Sequence, residues 1–147
     1  MQLTRREVCS LLPAGLLTGL VPGIATAQDS PLASAVCPFD KLPVRTVGDA
    51  QYRAIMKGKL TTGESLEVHE TTLGPHAIPH PPHHHSHTEF WVIREGTVEL
   101  TVNGKSGVIG PGSLGFAASN DVHGIKNVGD TPAIYFVVAI GPPAAGG

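Results

Sequence analysis

Apolar and polar residues alternate in short segments along most of the chain, as in β-strands that bury one face. Eighteen glycines and thirteen prolines separate these segments and suit tight turns better than helices. No segment after residue 27 shows convincing helical periodicity. The pattern predicts strands at 52–60, 66–73, 90–93, 97–102, 105–109, 113–117, 122–127 and 133–140.

The spacing of these strands favours an all-β antiparallel sandwich or barrel. Asn103 and Gly104 give the clearest turn, a two-residue hairpin whose positions both tolerate positive φ. Because side chains alternate across a strand, the parity of each residue predicts which face it occupies. We expect core packing for Trp91, Ile93, Phe116 and Tyr135, with a ligand-binding wall as the alternative. We expect a partnered position within its strand for His69, with a place in a pocket as the alternative, and a solvated position for Glu70.

The first 27 residues have the features of a bacterial secretory signal. Arg5 and Arg6 resemble a twin-arginine signal, residues 11–21 are apolar, and small residues end at Ala27. An uncleaved anchor is the alternative, but the apolar run is shorter than the ~20 residues that a spanning helix needs. We therefore expect cleavage after Ala27, export to the periplasm or the medium, and no stable membrane anchor afterwards.

The remaining chain predicts a leader at 28–43, one domain at 44–140 and a flexible tail at 141–147. Loss of Arg5, Arg6 and Glu7 takes the formal net charge from −2 to −3. No basic cluster remains, which argues against nucleic acid as a partner. Cleavage also leaves Cys37 as the last cysteine, so we expect no internal disulfide.

All eight histidines lie between His69 and His123. The simplest explanation is a histidine-rich loop, 76–87, that binds metals loosely or lies in solvent. That explanation gives no reason for Glu89 at the start of a predicted strand, for Gly96 at its end, or for His123 far away in sequence. The spacing instead predicts one metal site built from two distant segments.

The first segment resembles the first motif of the cupin superfamily, in which His-x-His is followed by glutamate and glycine at fixed intervals. His83, His85, Glu89 and Gly96 match those positions. Ala77 stands where the family has its leading glycine.

The second segment resembles the second cupin motif. Gly112, His123 and Asn127 match its glycine, histidine and asparagine, whereas Ala118 and Asn120 replace its proline and second glycine. We expect the turn to survive at Asn120, because asparagine adopts the left-handed conformation more readily than most residues.

The resemblance implies a small β-barrel of the cupin type, commonly a homodimer, with a metal inside it. It implies His83, His85, Glu89 and His123 as ligands of one divalent transition-metal ion, such as Fe, Mn, Zn, Ni or Cu. Such a set leaves coordination positions open, which is typical of catalytic metals. The residues also allow a second register, because His85, His87 and Glu89 repeat the His-x-His-carboxylate pattern. The family spacing favours His83 and His85, with His87 at the entrance of the site.

Two classes of function follow from this prediction. The first is an exported metalloenzyme for a small oxygenated organic molecule, with dioxygenase-type oxidation favoured over isomerase or lyase chemistry. Glu89 would be a ligand and a candidate proton acceptor. The second is a module that binds a metal or a small ligand without catalysis. Metal analysis followed by oxygen-uptake screening would discriminate between the two classes.

Overall fold

A computed structural model describes residues 30–142. The predicted signal peptide and most of the predicted tail lie outside the described residues. Between residues 30 and 142, no helix is long and apolar enough to cross a membrane. The elements are a 3-10 helix at Phe39–Lys41 and the strands β1 Val44–Val47, β2 Ala50–Lys59, β3 Ser65–Leu73, β4 Thr88–Glu95, β5 Val98–Val102, β6 Lys105–Ile109, β7 Leu114–Ala117, β8 His123–Asn127 and β9 Ala133–Gly141.

The strands form two antiparallel sheets that pack face to face. The larger sheet has the order β1-β2-β3-β9-β4-β7, and the smaller has the order β6-β5-β8. The prediction of an all-β antiparallel fold of the jelly-roll type is confirmed. The expectation of a closed barrel needs correction, because the two sheets are not joined by continuous strand pairing. A single bridge between His83 and His123 lies beside β8, outside the named strand pairs.

The turn and strand predictions hold with one omission. Asn103 and Gly104 have φ of 47° and 77°, as the predicted hairpin requires.

Strand β1 was not predicted, and the structure gives the reason. All four of its residues are exposed, so no alternation between a buried and an exposed face marks it in the sequence. It is held by pairing with β2 at the edge of the larger sheet.

The core lies between the sheets and follows the predicted parity on β4 and β9. Trp91, Ile93 and Tyr135 are buried, as expected. Gly115 is opposite Trp91, and a side chain there would collide with Leu100, so this glycine makes room for both residues.

The prediction for Phe116 is wrong. It pairs with Phe90 on the outer face of the larger sheet, where their rings are 5.1 Å apart, and it remains 50% exposed. Its neighbours Gly115 and Ala117 are buried, so the parity of β7 directs Phe116 outwards.

The prediction for Glu70 is also wrong, because its side chain is buried beneath two arginines. Arg94 donates a hydrogen bond from Nη1 to Glu70 Oε2 at 2.9 Å, and Arg53 Nε lies 3.8 Å from Oε1. The guanidinium of Arg53 stacks on the Phe39 ring at 4.0 Å. The segment before β1 therefore covers part of the outer face of the larger sheet.

Candidate metal centre

Backbone hydrogen bonds bring the two histidine segments together. The N–H of His83 donates to the carbonyl of His123 at 3.0 Å, and the N–H of His123 donates back at 2.9 Å. The N–H of Asn120 donates to the carbonyl of His85 at 2.8 Å. Asn120 has φ of 66°, so the turn survives without the family's glycine, as predicted.

Two of the histidine rings are oriented by backbone carbonyls. His85 Nδ1 donates to the carbonyl of His87 at 3.0 Å, and His123 Nδ1 donates to that of Asp121 at 2.8 Å. Because a carbonyl only accepts, each Nδ1 carries the hydrogen, and each neutral ring has its lone pair on Nε2. Both Nε2 atoms are buried without a hydrogen-bond partner in the described part of the chain. Such atoms fit a metal ion, which needs an unprotonated imidazole nitrogen.

These nitrogen atoms converge with two further predicted ligands. Ligand atoms of His83, His85 and His123 all lie within 4.8 Å of one another. Glu89 Oε1 is 3.1 Å from His85 Nε2, and Glu89 Oε2 is 3.5 Å from His123 Nε2. The structure therefore brings His83, His85 and His123 together and places the Glu89 carboxylate beside His85 and His123. Three imidazoles and a carboxylate form a donor set that suits a divalent transition metal.

Ring geometry distinguishes the two registers. The rings of His83, His85 and His123 are inclined to one another by 60° to 69°, so their planes intersect. The rings of His85 and His87 are stacked at 3.4 Å with an angle of only 11°. A lone pair lies in the plane of its ring, so two stacked rings cannot direct their lone pairs at one ion.

His87 nevertheless contacts the site. His87, His85 and Glu89 form a second group of closely spaced donor atoms, as the alternative register requires. In the observed orientation His87 Nε2 is hydrogen-bonded to Glu89 Oε1 at 3.2 Å. This contact fits a residue that holds the carboxylate in place better than it fits a ligand.

The charges of the centre are coupled through Glu89. Burial alone would raise the pKa of Glu89, but His123, His85 and His87 outweigh this effect and lower the pKa to about 2. Burial would lower the pKa of His123, but Glu89 and the Asp121 carbonyl raise it above its ordinary value. Burial and neighbouring histidines lower the pKa of His83, and burial also lowers the pKa of His85. Glu89 and His123 therefore stabilise each other's charged forms.

The remaining histidines separate into exposed and cavity-lining residues. His84 is exposed. His76 is bonded to Asp130 at 2.9 Å, away from the site. His69 was expected to be a partnered strand histidine, but it lines a cavity together with Glu89 and His123.

Tyr52 was not predicted as a site residue. It lines the same cavity, with its ring 5.8 Å from that of His69. Tyr52 follows Ala50 in a strand of mixed exposure, and only the pairing of β2 with β3 brings it to the site.

Comparison with known families gives a match to the Cupin domain model Cupin_2 over residues 69–139. This range includes both histidine segments and the strands between them. A search of curated proteins found no significant match.

Solved structures give the same fold at low sequence identity. An RmlC-like cupin from Shewanella frigidimarina NCIMB 400 is 17% identical, with a TM-score of 0.64 over 75% of this chain and 94% of that chain. A "predicted oxalate decarboxylase" from Thermotoga maritima is 19% identical, with a TM-score of 0.62 over 73% and 99%.

A sugar phosphate isomerase of the cupin superfamily from Silicibacter pomeroyi is 19% identical, with a TM-score of 0.60 over 74% of this chain and 77% of that chain. At these identities the likeness concerns the fold. The domain match and the structural neighbours support the cupin fold for this chain.

Proposed function

We propose that this chain is an exported, metal-dependent cupin that acts on a small oxygenated organic molecule. One observation carries the proposal. Two buried imidazole nitrogens, His85 Nε2 and His123 Nε2, have no hydrogen-bond partner in the described chain and lie beside the Glu89 carboxylate. Leaving such atoms unpaired costs stability, so their arrangement indicates a ligand.

The proposed ligands of the ion are His83, His85, Glu89 and His123. The inclined planes of the three rings support this set, and the stacking of His87 on His85 argues against the alternative register. When bound, a divalent transition metal would supply Lewis-acid chemistry and, for a redox-active ion, oxygen chemistry. As a ligand, Glu89 would balance part of the ion's charge, and it would accept a proton from the substrate only after detaching from the ion.

The favoured reaction is an oxidation of the dioxygenase type, with molecular oxygen as the oxidant and both oxygen atoms incorporated into the substrate. Isomerase and lyase chemistry are the other candidates. Two structural neighbours, a sugar phosphate isomerase and a predicted oxalate decarboxylase, support testing them. We further propose that the protein is a homodimer.

Metal analysis of the purified protein, followed by oxygen-uptake assays, tests this proposal. The substrate panel should contain catechols, diketones and hydroxy acids, with product analysis by NMR to detect isomerisation or cleavage without oxygen. Turnover that requires stoichiometric metal supports the enzyme. Tight metal binding without turnover across the panel favours the non-catalytic binding module. Absence of stoichiometric metal contradicts both the metalloenzyme and a metal-binding module, and leaves only a module that binds a small ligand.

A further inference from the structure

A small cavity opens beside the metal centre, inside the fold. Glu89, His123 and Trp91 line one side, and Tyr52, His69 and Thr71 come from β2 and β3. Its volume is about 50 Å³. Because a single water needs about 10–15 Å³ by this measure, the space holds only a few non-hydrogen atoms.

Two of these side chains have hydrogen-bonding groups that no neighbour uses. The Tyr52 hydroxyl and the ring nitrogens of His69 make no hydrogen bond to another residue between 30 and 142. The nearest carboxylate oxygen to His69 Nδ1 belongs to Glu67, at 3.7 Å, which is beyond hydrogen-bond distance. The long ion pair of His69 with Glu67 and the ring contact of Tyr52 therefore leave both side chains able to hydrogen-bond to a molecule in the cavity.

The two rings are also fixed in position before any ligand arrives. The Tyr52 ring lies edge-to-face against His69 at 5.8 Å, and the Arg45 guanidinium lies 5.2 Å from the centre of the Tyr52 ring. Pairing of Tyr52 with Thr71 across β2 and β3 fixes the backbone beneath them. A prearranged pair of this kind loses little entropy when it binds a ligand.

We propose that His69 and Tyr52 recognise a hydroxyl or carbonyl oxygen at the distal end of a short aliphatic oxyacid whose other end occupies the metal centre. This assignment rests on the proposed function. The cavity volume restricts the part of the ligand beyond its carboxylate to about three to five non-hydrogen atoms, as in a three-carbon acid. The two polar groups favour an oxygen over a methyl group at its far end. Hydroxylated or oxo acids of that length are the predicted class.

The probes are glycerate and lactate, which differ in whether the terminal carbon carries a hydroxyl. Isothermal titration of the Co²⁺-loaded protein measures the affinity for each acid, and metal content is measured on the same samples. The wild type should bind glycerate about 2- to 10-fold more tightly than lactate, the range expected for one net hydrogen bond.

The substitutions His69→Phe and Tyr52→Phe keep an aromatic ring and remove the polar atoms. Each should bring the ratio of the affinities for glycerate and lactate towards one, while the metal content stays at the wild-type value. The matched control His76→Phe, on an exposed loop, should keep the wild-type ratio. An unchanged ratio in both cavity variants, or no binding of either acid by the loaded wild type, overturns the assignment. Failure of the wild type to bind metal contradicts the proposed function itself.

Discussion

The Glu89 carboxylate contacts three of the histidines around the proposed centre. Its Oε1 faces His85 and His87, and its Oε2 faces His123. The pKa of about 2 keeps it ionised across the physiological range, so Glu89 contributes one fixed negative charge to the centre. A bound divalent cation would take over the stabilisation that the imidazoles provide to this carboxylate.

Metal affinity should fall as the pH is lowered from about 8 to about 5, because protons compete with the ion for imidazoles with an ordinary pKa of about 6.5. His123 should be the last of the three histidines to lose its proton, because Glu89 raises its pKa whereas burial lowers those of His83 and His85. Equilibrium dialysis with Zn²⁺ measures the affinity. A dissociation constant that stays flat over this range would argue against three histidine ligands.

At the scale of elements, Asn127 joins the end of β8 to the loop that follows β3. Its Nδ2 donates to the carbonyls of Leu73 and Gly74 at 3.0 Å and of Thr131 at 2.8 Å. Its Oδ1 accepts from the N–H of Gly129 at 2.9 Å, and the side chain is fully buried. The motif asparagine therefore fixes the two segments that lead to His83 and away from His123.

Asn127→Ala should lower the free energy of unfolding by about 2–3 kcal/mol, because several buried backbone groups lose their partner at once. Urea unfolding of the metal-free protein measures the change. The matched variant Asn120→Gly keeps the positive φ of an exposed turn and should change stability by less than about 0.5 kcal/mol. Equal changes in the free energy of unfolding in the two variants would show that the hydrogen bonds of Asn127 do not stabilise the fold.

At the scale of the whole molecule, an apolar edge supports the proposed homodimer. Leu114 and Phe116 on β7 are 60% and 50% exposed, and β7 is an edge strand of the larger sheet. An exposed apolar edge of this kind promotes pairing between chains.

Light scattering should give a dimer for the wild type and a monomer for the double variant Leu114→Lys, Phe116→Lys. The control Val108→Lys changes an equally exposed residue on β6 and should stay dimeric. A monomeric wild type at all concentrations would refute the proposed dimer.

Export is the second prediction at this scale, and it concerns residues outside the described range. The exported protein should begin at Gln28, and N-terminal sequencing checks this. Replacement of Arg5 and Arg6 by lysine should block export if the twin-arginine route is used. Export at the wild-type rate would indicate the general secretory route, and a mature chain that retains Met1 would contradict cleavage.

Local patterns in the sequence predicted much of the fold because they determine it directly. The parity of Glu89, Trp91 and Ile93 placed all three on the inner face of β4, and Asn103 with Gly104 defined a hairpin. The burial of Glu70 could not be predicted in this way. It depends on Arg94 and on Phe39, which are distant in sequence and meet only after the sheet has formed.

The candidate site also combines features that the sequence predicts with features that depend on packing. Motif spacing selected His83, His85, Glu89 and His123, and the backbone bridge between the two segments explains why that spacing works. Spacing carries no information about ring orientation, so the sequence alone left both registers open. The stacking of His87 on His85 is a property of packing, as is the position of His69 in the cavity.

The metal content of single variants tests the central claim most directly. His83→Ala, His85→Ala, Glu89→Ala and His123→Ala should each lose stoichiometric metal, whereas His84→Ala and His80→Ala should keep it. His87→Ala should also keep the metal, because its ring plane does not meet the proposed ion. Loss of metal in His87→Ala but not in His83→Ala would contradict this account in favour of the other register. Full retention in His123→Ala would show that the loop at 76–87 binds metal by itself and that the proposed centre does not exist.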